Sequence, residues 1–119
     1  MSSKQLSKNI LLAIDVGVKH DKTAMALGVE EAGALSIIDC IVLDKAPFED
    51  QLAVVKAIEA KHHVKAGIID ANGVGYGLAE MVGKQCSRLI KPYTWSSQQK
   101  CNAHEMLRTD ILTHKIVFP

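Results

Sequence analysis

The sequence predicts an α/β domain built on a mixed five-stranded sheet with flanking helices. Two observations carry that expectation. Three apolar runs near the start are separated by short polar turns, the pattern of an antiparallel meander. Beyond them the apolar spacing changes to a helical period, and helices alternate with strands. The predicted order is β-β-β-α-β-α-β-α, with the first strand central and the fourth beside it.

The elements follow in turn. Residues 1–8 are polar and read as a flexible tail ahead of a domain over residues 9–119. Residues 9–16 form a mostly apolar run, consistent with a strand buried on both faces. A polar turn leads to a second strand over 23–29. The segment 30–34, with Gly33, is a hairpin turn into a third strand over 35–43. Pro47 suits the first turn of a helix, and Glu49 and Asp50 complement its dipole. Phe48, Leu52, Val55 and Ile58 fall at helical spacing, and the helix should end near His62 and His63. A fourth strand covers 66–69. A loop containing Gly73, Gly75 and Gly77 then leads to a short helix over 76–82. A fifth strand, 88–90, is stopped by Pro92, and 93–100 reads as polar loop. Asn102 with Glu105 resembles a capping box opening a last helix, whose face is Ala103, Leu107 and Ile111. Residues 115–118 form a short extended end.

Composition narrows the functional classes. The 119 residues fit one domain, and 48% are apolar, enough for a true core. The net charge of +1 supplies no global basic field, so any nucleic-acid contact would rest on a local patch. Cys40, Cys86 and Cys101 are widely spaced, which argues against a disulfide framework and a structural zinc site and suits a cytoplasmic setting. The first apolar run is too short for a signal peptide or a membrane span. The five histidines show no metal-ligand spacing, and no Walker lysine motif or nucleophile elbow is present.

Asp15 is the most informative residue. It ends the run Ile10-Leu11-Leu12-Ala13-Ile14, and a carboxylate at the end of a buried strand needs a partner. A divalent cation is one; hydrogen bonds from the Gly17 turn are another. Asp70 repeats the pattern after Ala66-Gly67-Ile68-Ile69. On parallel neighbouring strands the two carboxylates would emerge at one edge and repel each other unless a cation sits between them. Hard oxygen donors without a nearby cysteine suit Mg²⁺ or Mn²⁺. Asp21, in the turn after Asp15, either folds back to join them or stays an ordinary exposed turn residue. Asn72, Gly73, Gly75 and Gly77 follow Asp70 in a loop whose backbone and helix N-terminus favour an anion such as phosphate. The alternation G-x-G-x-G is not the dinucleotide fingerprint; a tight strand-to-helix turn accounts well for one or two of those glycines and less well for all three.

Ile14-Asp15-Val16-Gly17 followed by Asp21-Lys22-Thr23-Ala24 resembles the opening of the nuclease domain of viral large terminase subunits, of the ribonuclease H-like superfamily. Ile69-Asp70-Ala71-Asn72-Gly73-Val74-Gly75 is similar to that family's second acidic strand and glycine loop. Asn102 to Pro119 looks like its helix and short I-x-x-P strand. The resemblance spans nearly the whole sequence. It implies a metal-dependent DNA endonuclease used in viral DNA packaging, encoded by a phage or prophage. Asp15, Asp70 and Asp21 would be both catalytic and metal-binding, with Mg²⁺ or Mn²⁺ as cofactor. Asn72, Gly73, Gly75 and Gly77 would make room for the DNA backbone. It also implies double-stranded DNA and a packaging ATPase or other terminase components as partners, with no membrane. The family's third metal-binding Asp follows the I-x-x-P segment, so the ribonuclease H-like domain is expected to be C-terminally incomplete, weak alone, and inclined to form homo-oligomers. Three other readings remain: a Holliday-junction-resolvase-like nuclease; half of an actin-like or sugar-kinase nucleotide-binding fold, which Asp15-Val16-Gly17 also resembles; and a silent assembly module.

Overall fold

A computed structural model describes residues 9–17, 21–70, 73, 75–94 and 96–118. The expected flexible tail over residues 1–8 lies outside the described residues, as do Asn72 and Trp95. The elements are β1 (Asn9–Asp15), β2 (Lys22–Glu31), β3 (Ala34–Asp44), α1 (Phe48–His62), β4 (Ala66–Asp70), α2 (Gly75–Gln85), β5 (Ile90–Tyr93), α3 (Ser97–Leu112) and β6 (Ile116–Val117). The sheet order is β5-β4-β1-β2-β3-β6. The meander β1-β2-β3 is antiparallel, whereas β4 runs parallel to β1, β5 to β4 and β6 to β3. The central first strand with the fourth beside it is as expected; the sheet has a sixth strand rather than ending at five.

Alternation along the strands sorts the sheet into two faces. Ile10, Leu12 and Ile14 of β1 face Val29, Leu27 and Met25 of β2 in register. With Ile69 and Ile90 they pack under Leu52, Val55 and Ile58 of α1 and Leu78, Ala79 and Val82 of α2. The opposite face carries Leu11, Ala13, Ala26, Gly28, Leu35, Ile37, Ala66 and Ile68 around an open apolar trough of about 350 Å³. β1 is therefore buried on one face only, correcting the expectation of burial on both. The reason is that α1 and α2 cover a single face, and no described side chain of α3 is buried.

Four local expectations are also corrected. Gly75 and Gly77 lie in the first turn of α2, not in a loop; of the three loop glycines only Gly73 has positive φ. Pro92 sits within β5 rather than stopping it, because β5 is an edge strand where a missing N–H can face away from the ladder. The last helix opens at Ser96, whose side chain accepts from the Gln99 N–H while Gln99 Oε1 accepts from the Ser96 N–H. That box begins the helix earlier than Asn102–Glu105 would. The hairpin turn is tighter than anticipated, with Ala32 and Gly33 both at positive φ, as a two-residue primed turn requires. None of the described helices is long and apolar enough to cross a membrane.

Candidate metal centre

The strand register brings the two sequence-predicted carboxylates together. β1 and β4 are parallel, with Ile14 opposite Ile69 as the last registered pair. Asp15 and Asp70 are the next residue on each strand, so they stand side by side at the same sheet edge. Ile14 and Ile69 point into the core, which turns both aspartates to the open face. There they line a recess of about 260 Å³ with Ala13, Ala24, Ala26, Cys40, Val42 and Ile68. Ala13, Ala26 and Ile68 also line the apolar trough, so recess and trough form one groove with an acidic end. Asp15 is exposed and Asp70 half-buried. Tyr93, paired with Asp70 in β5, lies on the same row.

Asp21 follows a different course. It is exposed, and its backbone carbonyl accepts from the Lys45 N–H at 3.3 Å. Among the described residues, no group of three or more His, Cys, Asp or Glu side chains is arranged to hold a metal ion. The described carboxylates of the groove thus number two, Asp15 and Asp70. Asp110, the sequence's last aspartate, lies elsewhere, against Met106, Leu107 and Ile116.

The backbone around both acids is tightly held. A Cβ on Gly75 would run into the Asp70 carbonyl oxygen and would come within 3.6 Å of Val16 Cγ2. The start of α2 therefore abuts the ends of β4 and β1. Gly77 makes room for the Phe48 ring, which a Cβ would meet at 2.8 Å. Behind Asp15, Gly17 bonds to two buried side chains, Thr23 and Gln51. Sequence reasoning missed Gln51, though a signal was present: it is a polar residue on the inward stripe of α1, between Phe48 and Leu52.

The donor set fits a hard divalent cation. Mg²⁺ is commonly held by one or two carboxylates with water completing its shell. Two carboxylates on adjacent strand ends, sharing one open recess, meet that demand. The thiol in the recess wall, Cys40, is on β3, two strands from Asp15.

Among solved structures the chain is similar to the large terminase nuclease of thermophilic phage G20c. With magnesium bound, that nuclease superposes with a TM-score of 0.82 at 22% identity, over 95% of this chain and 59% of the other. The zinc-bound form gives 0.80 at 22%, over 96% and 65%. The fold is that of large terminase nuclease domains. The large terminase of a second thermophilic bacteriophage gives 0.73 at 13% identity, over 92% of this chain and 28% of that one. This ribonuclease H-like terminase fold is the one the acidic strand motifs resembled. The chain spans about 59% to 65% of the length of the first two structures. No protein-family model and no curated protein matches the sequence.

Proposed function

We propose that the chain is a metal-dependent DNA endonuclease domain of terminase type, acting in viral DNA packaging. The observation that supports this reading most is the pairing of Asp15 and Asp70 at one edge of the open face, within a terminase nuclease fold. The substrate would be double-stranded DNA and the reaction phosphodiester hydrolysis. Asp15 and Asp70 would hold Mg²⁺ or Mn²⁺, with Asp21 approaching from its turn. When bound, such a cation supplies a water of lowered pKa and stabilises charge on the scissile phosphate. The residues of the chain would hold the cation against the sheet edge, while the uncharged groove beside it leaves room for the nucleic-acid backbone. Gly73, the exposed glycine before α2, keeps the approach to Asp70 low; Asn72, assigned to the same role, lies outside the described residues. A packaging ATPase or other terminase component would deliver the DNA, in the host cytoplasm.

Two strand-end carboxylates and Asp21 leave a second cation under-coordinated by protein, so cleavage by the chain by itself should be slow. The decisive experiment is plasmid cleavage with Mn²⁺ and with Mg²⁺, alongside calorimetric Mn²⁺ binding, for the unaltered chain and for Asp15→Asn and Asp70→Asn. Slow cleavage and weak binding, both lost in either variant, are expected. Cleavage that survives both substitutions would mean that the site is elsewhere. Absence of both cation binding and cleavage would favour a silent assembly module.

A further inference from the structure

Thr23 and Gln51 are the fully buried polar side chains among the described residues, each with 0% exposure. Both bond to Gly17, which lies just past Asp15. The Thr23 hydroxyl accepts from the Gly17 N–H at 2.9 Å and donates to the Gly17 carbonyl at 2.9 Å. Gln51 Nε2 donates to that same carbonyl at 3.0 Å and to the Ala46 carbonyl at 2.8 Å. Because both partners are carbonyls, the amide orientation follows from chemistry: the flipped amide would set oxygen against oxygen.

This arrangement carries a penalty. Among the described residues Gln51 Oε1 is buried with no partner, and buried acceptors are rarely left unpaired. A methionine at this inward position of α1 would fill similar space without the orphan oxygen, but it would take a donor from the Gly17 and Ala46 carbonyls. What the glutamine does that an apolar residue cannot is tie Gly17 to the start of α1. Gly17 in turn sits where a side chain could not: a Cβ would run into the Lys22 carbonyl oxygen and would lie 2.8 Å from Asp21 Cβ. Asp21 and Lys22 therefore close directly on the clamped residue.

We propose that Thr23 and Gln51 are positioning residues that fix the backbone at Gly17, and thereby the orientation in which Asp15 meets a divalent cation. This rests on the metal-site reading above. Groups that orient ligands commonly alter metal affinity by about 10–100-fold when removed. The test is Mn²⁺ affinity of the full chain, measured by calorimetry, for Thr23→Val, Thr23→Ser, Gln51→Met and Asp15→Asn. Thermal melts followed by circular dichroism accompany each, with binding measured well below every midpoint. Affinity should fall about tenfold in Thr23→Val and Gln51→Met while Thr23→Ser, which keeps the hydroxyl, stays near the unaltered value. A role in stability alone would lower the melting temperature and leave affinity untouched. Loss of binding in Asp15→Asn with unchanged affinity in Thr23→Val and Gln51→Met would overturn the positioning role and leave the metal site standing. Unchanged binding in Asp15→Asn would overturn both. Should the valine or methionine variant fail to fold, Mg²⁺ titration of the ¹⁵N-labelled unaltered chain decides. The Gly17 amide and the Gln51 side-chain amide should shift together with Asp15, and a shift of Asp15 alone would overturn the proposal.

Discussion

Replacing Gly75 by alanine sets two rules against each other. Helix propensity favours alanine over glycine by about 1 kcal/mol, and Gly75 is the first residue of α2. Packing opposes the change, because the new methyl would occupy the place of the Asp70 carbonyl oxygen. A side-chain neighbour could rotate aside; a strand carbonyl cannot. Overpacking of this kind costs about 1–3 kcal/mol, and a backbone neighbour places it at the upper end, so net destabilisation should be about 2 kcal/mol. For 119 residues the unfolding entropy is about 0.25 kcal/mol/K, so the midpoint should fall by about 8 °C. Gly73→Ala is the control. Its φ of 61° is left-handed, but among the described residues nothing lies within 4 Å of an added Cβ, so it should cost about 1 kcal/mol from strain alone. Calorimetric melts and Mn²⁺ titration read out both. Gly75→Ala should also weaken Mn²⁺ binding, since relief of the clash moves the end of β4 that bears Asp70. A Gly75→Ala protein as stable as the unaltered chain, with intact Mn²⁺ affinity, would refute the reasoning.

Two further outcomes follow from single side chains. Burial raises the Cys86 thiol above its ordinary value of 9.0; Glu59 adds to the shift and Lys56 opposes it. A pKa raised by folding means stability that is fully present below the unfolded value and lost as pH climbs through the folded one; denaturant midpoints should therefore decline above pH 9.0, less so in Cys86→Ala, and iodoacetamide should modify Cys86 more slowly in the native chain than in urea. Ser96→Ala removes the cap of α3 and should cost that helix about 1 kcal/mol. Because no described side chain of α3 is buried, the loss should register as faster amide exchange within the helix, by about fivefold, with little change in the global midpoint.

The element order was legible because apolar period alone separates a meander from alternating helices and strands. The acid pair was legible for a related reason: an apolar strand that stops at a carboxylate twice, on strands that topology makes neighbours, has few other arrangements. What stayed hidden depended on tertiary context. Ile10 to Ile14 is continuously apolar, so nothing local shows that Leu11 and Ala13 face a groove while Ile10, Leu12 and Ile14 face the core. Gly75 and Gly77 imitate a flexible loop in sequence, yet each is dictated by packing, Gly75 by the carbonyl at the end of the preceding strand and Gly77 by the Phe48 ring far along the chain. β6 pairs through only Ile116 and Val117, too few residues to have a period. Ser96 and Gln99 were readable as a capping box; Asn102 and Glu105 offered a competing one within the same helix.

The pairing of β6 with β3 joins residues farther apart in sequence than any other strand contact described, Leu35 with Ile116 and Ser36 with Val117. Closing so long a loop costs chain entropy, and two registered residues return little of it. In native-state exchange this segment should open well before the meander, as its own unit. Each opening bares the start of β3 and joins it to the rest of an eleven-residue strand whose outer side β6 never covers. A long edge of this kind, with Ile38 and Val42 exposed on it, is a template for another chain's backbone. Asp39 and Asp44 are the charges set along that edge, so replacing both by asparagine should weaken its resistance to strand-by-strand aggregation.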